Sequence, residues 1–397
     1  MSTSFRLSTV AVAAAALVGG VLGAPAAEAT TPSSNAVPAG ALVSAVPANV
    51  RSADSVLDEM TLRQRVGQLF MVGTPATSAS GATLAAISRR HVGNVMLTGR
   101  SYGGTATPAR VAAAMQNRAT QDATDRVRML VATDQEGGLV QVLHGRGLAD
   151  LPSALRQGRW APSTLRERAG TWAGQLRKAG VNMNLAPVED TVPSASAARR
   201  NPPIGAFDRE FGYRVKPVSN HGRAFAVGMS EHGVVPTIKH FPGLGRVHAN
   251  TDTSRGVTDW VTTRHDAYLQ PFAASVQAHV PVVMMSTAYY HRLDPKHPAA
   301  FSPFVINRML RGDLGFTGVV ISDDLANARQ VSGWSYGARA VKFVNAGGNL
   351  VLTVDPASLP GMYQAVLDRA AHDAAFRAKV NASARRVLLL KQDRGLL

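Results

Sequence analysis

Short apolar segments alternate with amphipathic segments from about residue 60 to the end of the chain. Most apolar segments are followed by apolar residues at helical spacing, as in 165–179, 218–232 and 335–346. Continuous apolar strands that alternate with helices are typical of a parallel sheet covered on both faces. The pattern predicts eight strands, at residues 68–73, 93–97, 128–133, 181–187, 235–239, 282–286, 319–322 and 349–353.

Eight strand and helix units in succession predict one α/β domain, a single (β/α)8 barrel of the TIM type. The alternative is a doubly wound open sheet. The first predicted strand, however, lacks the glycine-rich phosphate-binding sequence that would support such a sheet. We therefore assign residues 51–397 to one barrel domain.

The first 50 residues have a different composition. Arg6 precedes an apolar segment rich in Ala, Val and Gly, and residues 27–29 (Ala-Glu-Ala) form a small-x-small cleavage site. This pattern predicts a secretory signal peptide over residues 1–29, and hence a secreted protein, extracellular or associated with the cell wall. Residues 30–50, rich in Ala, Pro, Ser and Thr, predict a flexible linker. The apolar segment is short for a membrane span, and no later segment resembles one.

Composition limits the partners of the chain. It has no cysteine, which excludes disulfides and zinc sites with thiolate ligands. It carries 42 basic and 26 acidic side chains, a formal net charge of +16. For an exported protein we expect such a surface to meet anionic cell-wall polymer. The arginines are spread along the chain and are not interleaved with aromatic residues, so the sequence does not favour a nucleic-acid partner.

Polar side chains follow the predicted strands where each strand ends. Because the carboxyl ends of barrel strands meet on one face, we expect these side chains to converge. A set rich in carboxylates fits glycoside hydrolysis, in which one carboxyl attacks the anomeric carbon and another group shuttles a proton. A metal-dependent hydrolase is the competing interpretation, but the histidines do not follow successive strands. The residues are Asp134, Gln135, Glu136, Asp190, Lys239, His240, Ser286, Thr287, Asp323, Asp324 and Asp355.

Six motifs occur in order at these strand ends or in the loops after them. They are residues 68–73 (QLFMVG), 134–138 (DQEGG), 182–190 (NMNLAPVED), 209–212 (REFG), 239–243 (KHFPG) and 321–325 (ISDDL). With these motifs the chain resembles the barrel domain of glycoside hydrolase family 3, in particular its single-domain bacterial β-N-acetylglucosaminidase branch. The resemblance implies a (β/α)8 barrel and a retaining β-glycosidase that needs no cofactor or metal.

The resemblance also implies roles for matching residues. Asp323 matches the nucleophile, which forms a covalent glycosyl-enzyme intermediate. Carboxylates accept hydrogen bonds from sugar hydroxyls, and Lys and Arg donate to them. For Asp190 a cap of the following turn is an equal alternative, as is a buried structural hydrogen bond for His240. The positions that match substrate-binding residues are Asp134, Asp190, Arg209, Lys239 and His240.

The loop after Lys239 departs from the family pattern. In this branch an Asp-Ser-His sequence supplies the general acid/base; here Asp252 stands at the Asp position and Ser254 where the His is expected. A serine hydroxyl cannot replace it, because its pKa lies far outside the working range of a general acid. Three interpretations follow. His248 supplies the proton from a mobile loop, Asp252 or another loop carboxyl does so with a raised pKa, or the chain only binds carbohydrate.

Taken together, these features predict an exported β-N-acetylhexosaminidase. We expect it to release terminal N-acetylglucosamine from cell-wall or chitin-derived glycans. The alternatives are β-glucosidase or β-xylosidase specificity, phosphorolysis in place of hydrolysis, and a non-catalytic carbohydrate-binding barrel.

Overall fold

The structure, a computed structural model, describes residues 51–397. Its central feature is a sheet of eight strands, ordered β7-β6-β5-β4-β3-β2-β1-β8, in which every neighbouring pair is parallel. The strands are β1 (Phe70–Pro75), β2 (Asn94–Thr98), β3 (Leu130–Thr133), β4 (Met183–Asn184), β5 (Val235–Phe241), β6 (Val282–Met285), β7 (Val319–Ser322) and β8 (Val351–Thr353).

The two outer strands of this order close the sheet into a barrel. Ile321 of β7 pairs with Leu350, just before β8, in a parallel bridge. The backbone N–H of Ser322 donates to the Leu350 carbonyl at 3.0 Å, and the N–H of Leu352 donates to the Ser322 hydroxyl at 2.9 Å. The predicted (β/α)8 barrel is therefore confirmed.

Helices cover the outside of the barrel. They are α1 (Ala53–Glu59), α2 (Leu62–Gln68), α3 (Gly81–Arg90), α4 (Ala106–Gln116), α5 (Gln121–Thr124), α6 (Ala154–Gln157), α7 (Pro162–Lys178), α8 (Ala195–Ala198), α9 (Val215–Glu231), α10 (Gln270–Gln277), a π-helix (Phe304–Asp313), α11 (Tyr336–Ala346), α12 (Leu359–His372) and α13 (Ala374–Gln392). None of the helices within residues 51–397 combines the length and apolar character needed to cross a membrane. The predicted signal peptide and linker lie outside the described residues.

The observed strands match the predicted ones except at their ends. β1 begins at Phe70 because Gln68 is the last residue of α2, whose first turn is capped by the Thr61 hydroxyl. β4 pairs only over Met183–Asn184. The Asn184 amide there accepts from the Gln135 N–H at 3.0 Å and donates to the Gln135 carbonyl at 3.1 Å, so a side chain continues the contact between β3 and β4.

Side chains along each strand alternate between the barrel interior and the helices. In β7, Val319 and Ile321 belong to the interior cluster, whereas Val320 packs in the larger cluster between sheet and helices. This filled interior is a packed core rather than a pore, as is usual for such barrels. Four interior residues also form the apolar floor of a cavity at the carboxyl ends of the strands: Met96, Leu185, Met284 and Leu352.

Two smaller sheets lie in the loops at this end of the barrel. A two-stranded hairpin, Gln135–Gly137 and Val140–Gln141, follows β3. A three-stranded sheet combines Thr258–Asp259, Tyr289–Tyr290 and Asp294–Pro298. The hairpin adds a wall to the cavity through Val140.

Candidate active site

The cavity encloses about 290 Å³ and opens where the strands end. An apolar floor with a few convergent polar groups is the usual make-up of a small-molecule site. Five of the eleven strand-end residues predicted to converge line this cavity, and other residues of its wall come from the loops. The polar residues on its walls are Asp134, Arg209, Lys239, His240, Asn250, Asp252, Asp323 and Asp324.

A network of ion pairs, here called the charged wall (Asp134, Glu136, Arg209 and Lys239), forms one side of the site. The Arg209 guanidinium donates two hydrogen bonds to the Glu136 carboxylate, each 2.8 Å long. Lys239 Nζ lies 2.7 Å from Glu136 Oε1 and donates to Asp134 Oδ1, also at 2.7 Å. Charged, two-pronged contacts of this kind are strong and directional, so the wall is organised without a ligand.

The charges of this wall fix one another. Burial alone would raise the pKa of the Glu136 carboxyl, but the positive charges of Arg209 and Lys239 lower that pKa to about 2. Burial would lower the pKa of the Lys239 ammonium, whereas the carboxylates of Asp134 and Glu136 raise it. Glu136, Arg209 and Lys239 are therefore ionised across the ordinary pH range.

Asp190 contacts His240 rather than the cavity. Its carboxylate is fully buried; Oδ2 accepts from His240 Nδ1 at 2.7 Å, and Oδ1 accepts from the Leu244 N–H at 2.7 Å. Because Nδ1 is engaged, Nε2 is the ring nitrogen of His240 left for a ligand in the cavity. The Asp190 carboxylate thus holds the segment 240–244 instead of capping the turn that follows it, and it does not line the cavity.

The two adjacent carboxylates after β7 have different surroundings. Asp324 Oδ1 accepts from the N–H groups of Ala326 and Val354, each at 3.0 Å, and Oδ2 accepts from the Asn327 amide at 2.8 Å. Within residues 51–397, the Asp323 carboxylate has one hydrogen bond, from the N–H of Asp324 at 2.8 Å. Asp323 is therefore the carboxylate of the pair that is free to meet a ligand.

The loop after β5, here called the Asp252 loop (residues 244–256), brings Asp252 to the cavity. Asn250 lines the cavity beside it, whereas Ser254 does not. His248 is exposed, lines a separate groove, and its Nδ1 lies 3.3 Å from the Arg200 carbonyl. The hypothesis that His248 supplies a proton therefore has no support in this geometry.

The Asp252 carboxyl has a raised pKa of about 6. Loss of hydration among the surrounding protein atoms is the largest cause, and the negative charge of Asp323 adds to it. The positive charge of Arg209 and the His240 ring act in the opposite direction. More than a third of the residue nevertheless stays exposed to solvent. Asp252 is thus a carboxyl that can hold a proton in mildly acidic solution.

Sequence reasoning missed three parts of this site. Glu136 was predicted at a strand end but not among the substrate-binding residues, although it shares the 134–138 motif with Asp134. Asn250 precedes Asp252 by two residues and was not singled out. Phe207 is 41% exposed on the cavity wall, and nothing in the local sequence indicates that position.

Some residues that were predicted to converge do not line the cavity. Ser286 and Thr287 are fully buried. Asp355 Oδ1 accepts from the N–H of Ala357 at 2.9 Å and so stabilises a turn. No group of three or more His, Cys, Asp or Glu residues in the described part of the chain is arranged to hold a metal ion.

Comparison with known proteins agrees with this site. The model of the family described as the glycosyl hydrolase family 3 N terminal domain matches residues 61–390. A β-hexosaminidase of Xanthomonas oryzae pv. oryzae is 31% identical over 315 residues, which are 78% of this chain and 90% of that protein.

Solved structures give the same result. A β-N-acetylhexosaminidase from Beutenbergia cavernae superposes with a TM-score of 0.83 at 51% identity, over 84% of this chain and 98% of that one. A family 3 β-N-acetylglucosaminidase from Paenibacillus sp. has a TM-score of 0.78 at 30% identity, over 85% of this chain and 63% of that one. The chain belongs to glycosyl hydrolase family 3 and is a glycosidase that hydrolyses O-glycosyl bonds.

Proposed function

We propose that the chain is a retaining β-N-acetylhexosaminidase that releases terminal β-linked N-acetylglucosamine from glycans. The observation that carries the proposal is the pairing, in one cavity, of the Asp323 carboxylate, which accepts a single hydrogen bond within residues 51–397, with Asp252, whose pKa is raised to about 6. Two carboxyls whose surroundings differ in this way are the usual pair for a nucleophile and a general acid.

The charged wall is proposed to hold the sugar that is transferred. Asp134 keeps Oδ2 available for sugar hydroxyls while Oδ1 accepts from Lys239. Arg209 and Lys239 offer their remaining N–H donors toward the same space, and His240 offers Nε2. Because these groups are fixed by ion pairs beforehand, little ordering is needed when the substrate binds.

In the first chemical step, an oxygen of Asp323 attacks the anomeric carbon and forms a glycosyl ester. The bond from that carbon to the leaving oxygen breaks, and Asp252 gives its proton to this oxygen, which leaves as an alcohol. Asp252 is then an anion. The charge on Asp323 has been consumed in the ester, so the repulsion between the two carboxylates is relieved.

In the second step, Asp252 removes a proton from a water molecule, and the resulting oxygen nucleophile attacks the anomeric carbon. The ester bond breaks, the sugar leaves with its original configuration, and Asp323 regains its charge. Asp252 ends the cycle protonated. Each group thus returns to its starting state.

The choice of N-acetylglucosamine rests on the relatives, which include a β-hexosaminidase, a β-N-acetylhexosaminidase and a β-N-acetylglucosaminidase. The test is hydrolysis of aryl β-N-acetylglucosaminide, compared with the matching β-glucoside and β-xyloside. We expect a clear preference for the first. An Asp323→Asn variant should lose about four orders of magnitude or more in kcat, and undiminished turnover would exclude Asp323 as the nucleophile.

We also propose that the protein is exported and acts on cell-wall or chitin-derived fragments. The proposal is supported by the signal-peptide pattern of residues 1–29 and by the net charge of +16, which suits an anionic wall. The test is N-terminal sequencing of the protein recovered from culture medium and from washed walls. A mature chain that begins near Thr30 supports export, whereas an intact chain found only inside cells contradicts it.

A further inference from the structure

The backbone of the Asp252 loop is attached to the segment that follows the nucleophile. The N–H of Arg329 donates to the carbonyl of Asp252 at 3.1 Å, and the N–H of Gln330 donates to the carbonyl of Thr251 at 3.0 Å. Residues Arg329–Val331 form a short 3-10 turn, and Thr251 is 2% exposed. The loop is therefore attached at Asp252 itself, the residue proposed as the proton donor.

The side chain of Gln330 holds the same loop at a second point. Its Oε1 accepts from the N–H of Val257 at 2.9 Å, and its Nε2 donates to the carbonyl of Val257 at 3.0 Å. Gln330 is 4% exposed and Val257 is also buried. One residue thus fixes the chain on both sides of Asp252, at Thr251 through its backbone and at Val257 through its amide.

We infer that Gln330 is a positioning residue that sets where Asp252 holds its proton relative to Asp323. This inference rests on the proposed function, in which Asp252 is the general acid. Asp323 and Gln330 belong to one connection after β7, so the segment that carries the nucleophile also holds the proton donor. The sequence had suggested a mobile acid loop, whereas these four hydrogen bonds describe a docked one.

Removing the Gln330 amide has a defined consequence. Gln330→Met keeps the length of the side chain but leaves the buried N–H of Val257 without a partner, while the Val257 carbonyl still accepts from the N–H of Tyr289 at 2.9 Å. An unpaired buried N–H is costly, so the chain is expected to move until this group reaches water. A displacement of about 1 Å from the productive geometry can reduce a rate by about a hundredfold.

The chain offers a matched control at the other end of the barrel. Gln116, at the end of α4, holds Met129 in the same way: Oε1 accepts from the Met129 N–H and Nε2 donates to its carbonyl, each at 3.0 Å. Met129 lies just before β3, at the amino end of that strand and away from the cavity. Gln116→Met therefore removes an equivalent pair of hydrogen bonds without touching the Asp252 loop.

The experiment compares kcat/KM for two N-acetylglucosaminides in the full-length protein. A methyl glycoside has a leaving group that requires protonation, whereas a dinitrophenyl glycoside leaves without it. We expect Gln330→Met to lower kcat/KM for the methyl glycoside by about 10- to 100-fold and for the dinitrophenyl glycoside by less than about twofold. In Gln116→Met the ratio of the two values should equal that of the wild type.

Equal losses for both substrates in Gln330→Met, or no loss for either, would overturn the inference. So would the same selective loss in Gln116→Met, since that result would trace to general stability. If Gln330→Met does not fold, Gln330→Asn, whose amide is one carbon shorter, tests the same contact. A wild-type protein that hydrolyses neither glycoside would instead contradict the proposed function itself.

Discussion

Glu136 and Asp252 are two carboxyls of one site with opposite electrostatic surroundings. Glu136 is buried between Arg209 and Lys239, and its pKa is about 2. Asp252 is more exposed, yet its pKa is about 6 because it loses hydration and faces Asp323. Burial raises the pKa of both groups, so the neighbouring charges decide the outcome.

This contrast separates binding from chemistry within the cavity. In the charged wall Glu136, Arg209 and Lys239 stay ionised and hold one another in place, which suits a surface that must recognise hydroxyls. The cavity also holds Asp252 and Asp323, and loss of hydration together with the negative charge of Asp323 raises the pKa of Asp252 to about 6, which allows Asp252 to carry a proton. Changes to the charged wall should therefore affect substrate affinity and stability, whereas changes to Asp252 should affect proton transfer.

The largest effect is expected from Asp252→Asn. The amide has a similar shape but cannot donate a proton to the leaving oxygen, so kcat/KM for a methyl N-acetylglucosaminide should fall by about 10²- to 10⁴-fold. For the dinitrophenyl glycoside kcat/KM should stay nearly unchanged, because that first step needs no acid. Steady-state kinetics with both substrates checks this, and equal losses would remove Asp252 from the acid role.

Glu136→Gln tests the charged wall. The amide cannot neutralise Arg209 and Lys239, and removing one partner of a buried ion pair typically costs about 3–5 kcal/mol. We expect a lower free energy of unfolding in denaturant titrations and a higher KM. The loss in kcat/KM should be the same for the methyl and the dinitrophenyl glycoside. Glu167→Gln, on the exposed face of α7, is the control. A loss in kcat/KM confined to the methyl glycoside would contradict the separation, because it would show that Glu136 also affects proton transfer.

The pH profile offers a smaller but independent test. Asp252 donates a proton only when protonated, a state that is lost as the pH rises above about 6. For the methyl glycoside, log kcat/KM should therefore decline above about pH 6, by about one decade per pH unit. The dinitrophenyl glycoside should lack this alkaline limb. An identical limb for both substrates would show that another group controls it.

The smallest effect is expected from His248→Ala. The ring is exposed, lies outside the cavity and contacts only the Arg200 carbonyl among the described hydrogen bonds. Both substrates should keep kcat/KM within about twofold of the wild type, since exposed side chains away from such sites usually tolerate change. A loss confined to the methyl glycoside would restore His248 as the proton donor.

The barrel could be predicted from the sequence because its strands are buried on both faces and so read as continuous apolar segments. The position of Asp323 follows from the same pattern, since it comes directly after β7. The side-chain partners of Asp190 could not be predicted. Its carboxylate turns to His240 and Leu244, residues about 50 positions away in the chain.

The Asp252 loop was the least predictable part of the site. Its motif has Ser254 where the family has a His, and it left His248, Asp252 or no proton donor as the interpretations, because loop conformation depends on distant contacts. Here those contacts are Arg329 and Gln330, from the connection after β7. A local pattern of residues 244–256 contains no information about them, so the choice between His248 and Asp252 required the structure.

The most direct test of the account is to trap the glycosyl ester on Asp323. A 5-fluoro N-acetylglucosaminyl fluoride keeps the acetamido group of the substrate. Its anomeric fluoride leaves without acid assistance, and its 5-fluoro substituent slows hydrolysis of the glycosyl ester. We predict that intact-mass measurement shows one sugar per chain and that peptide mapping places it on Asp323. A label on another carboxylate, or no label under conditions in which the enzyme hydrolyses aryl N-acetylglucosaminide, would contradict the account.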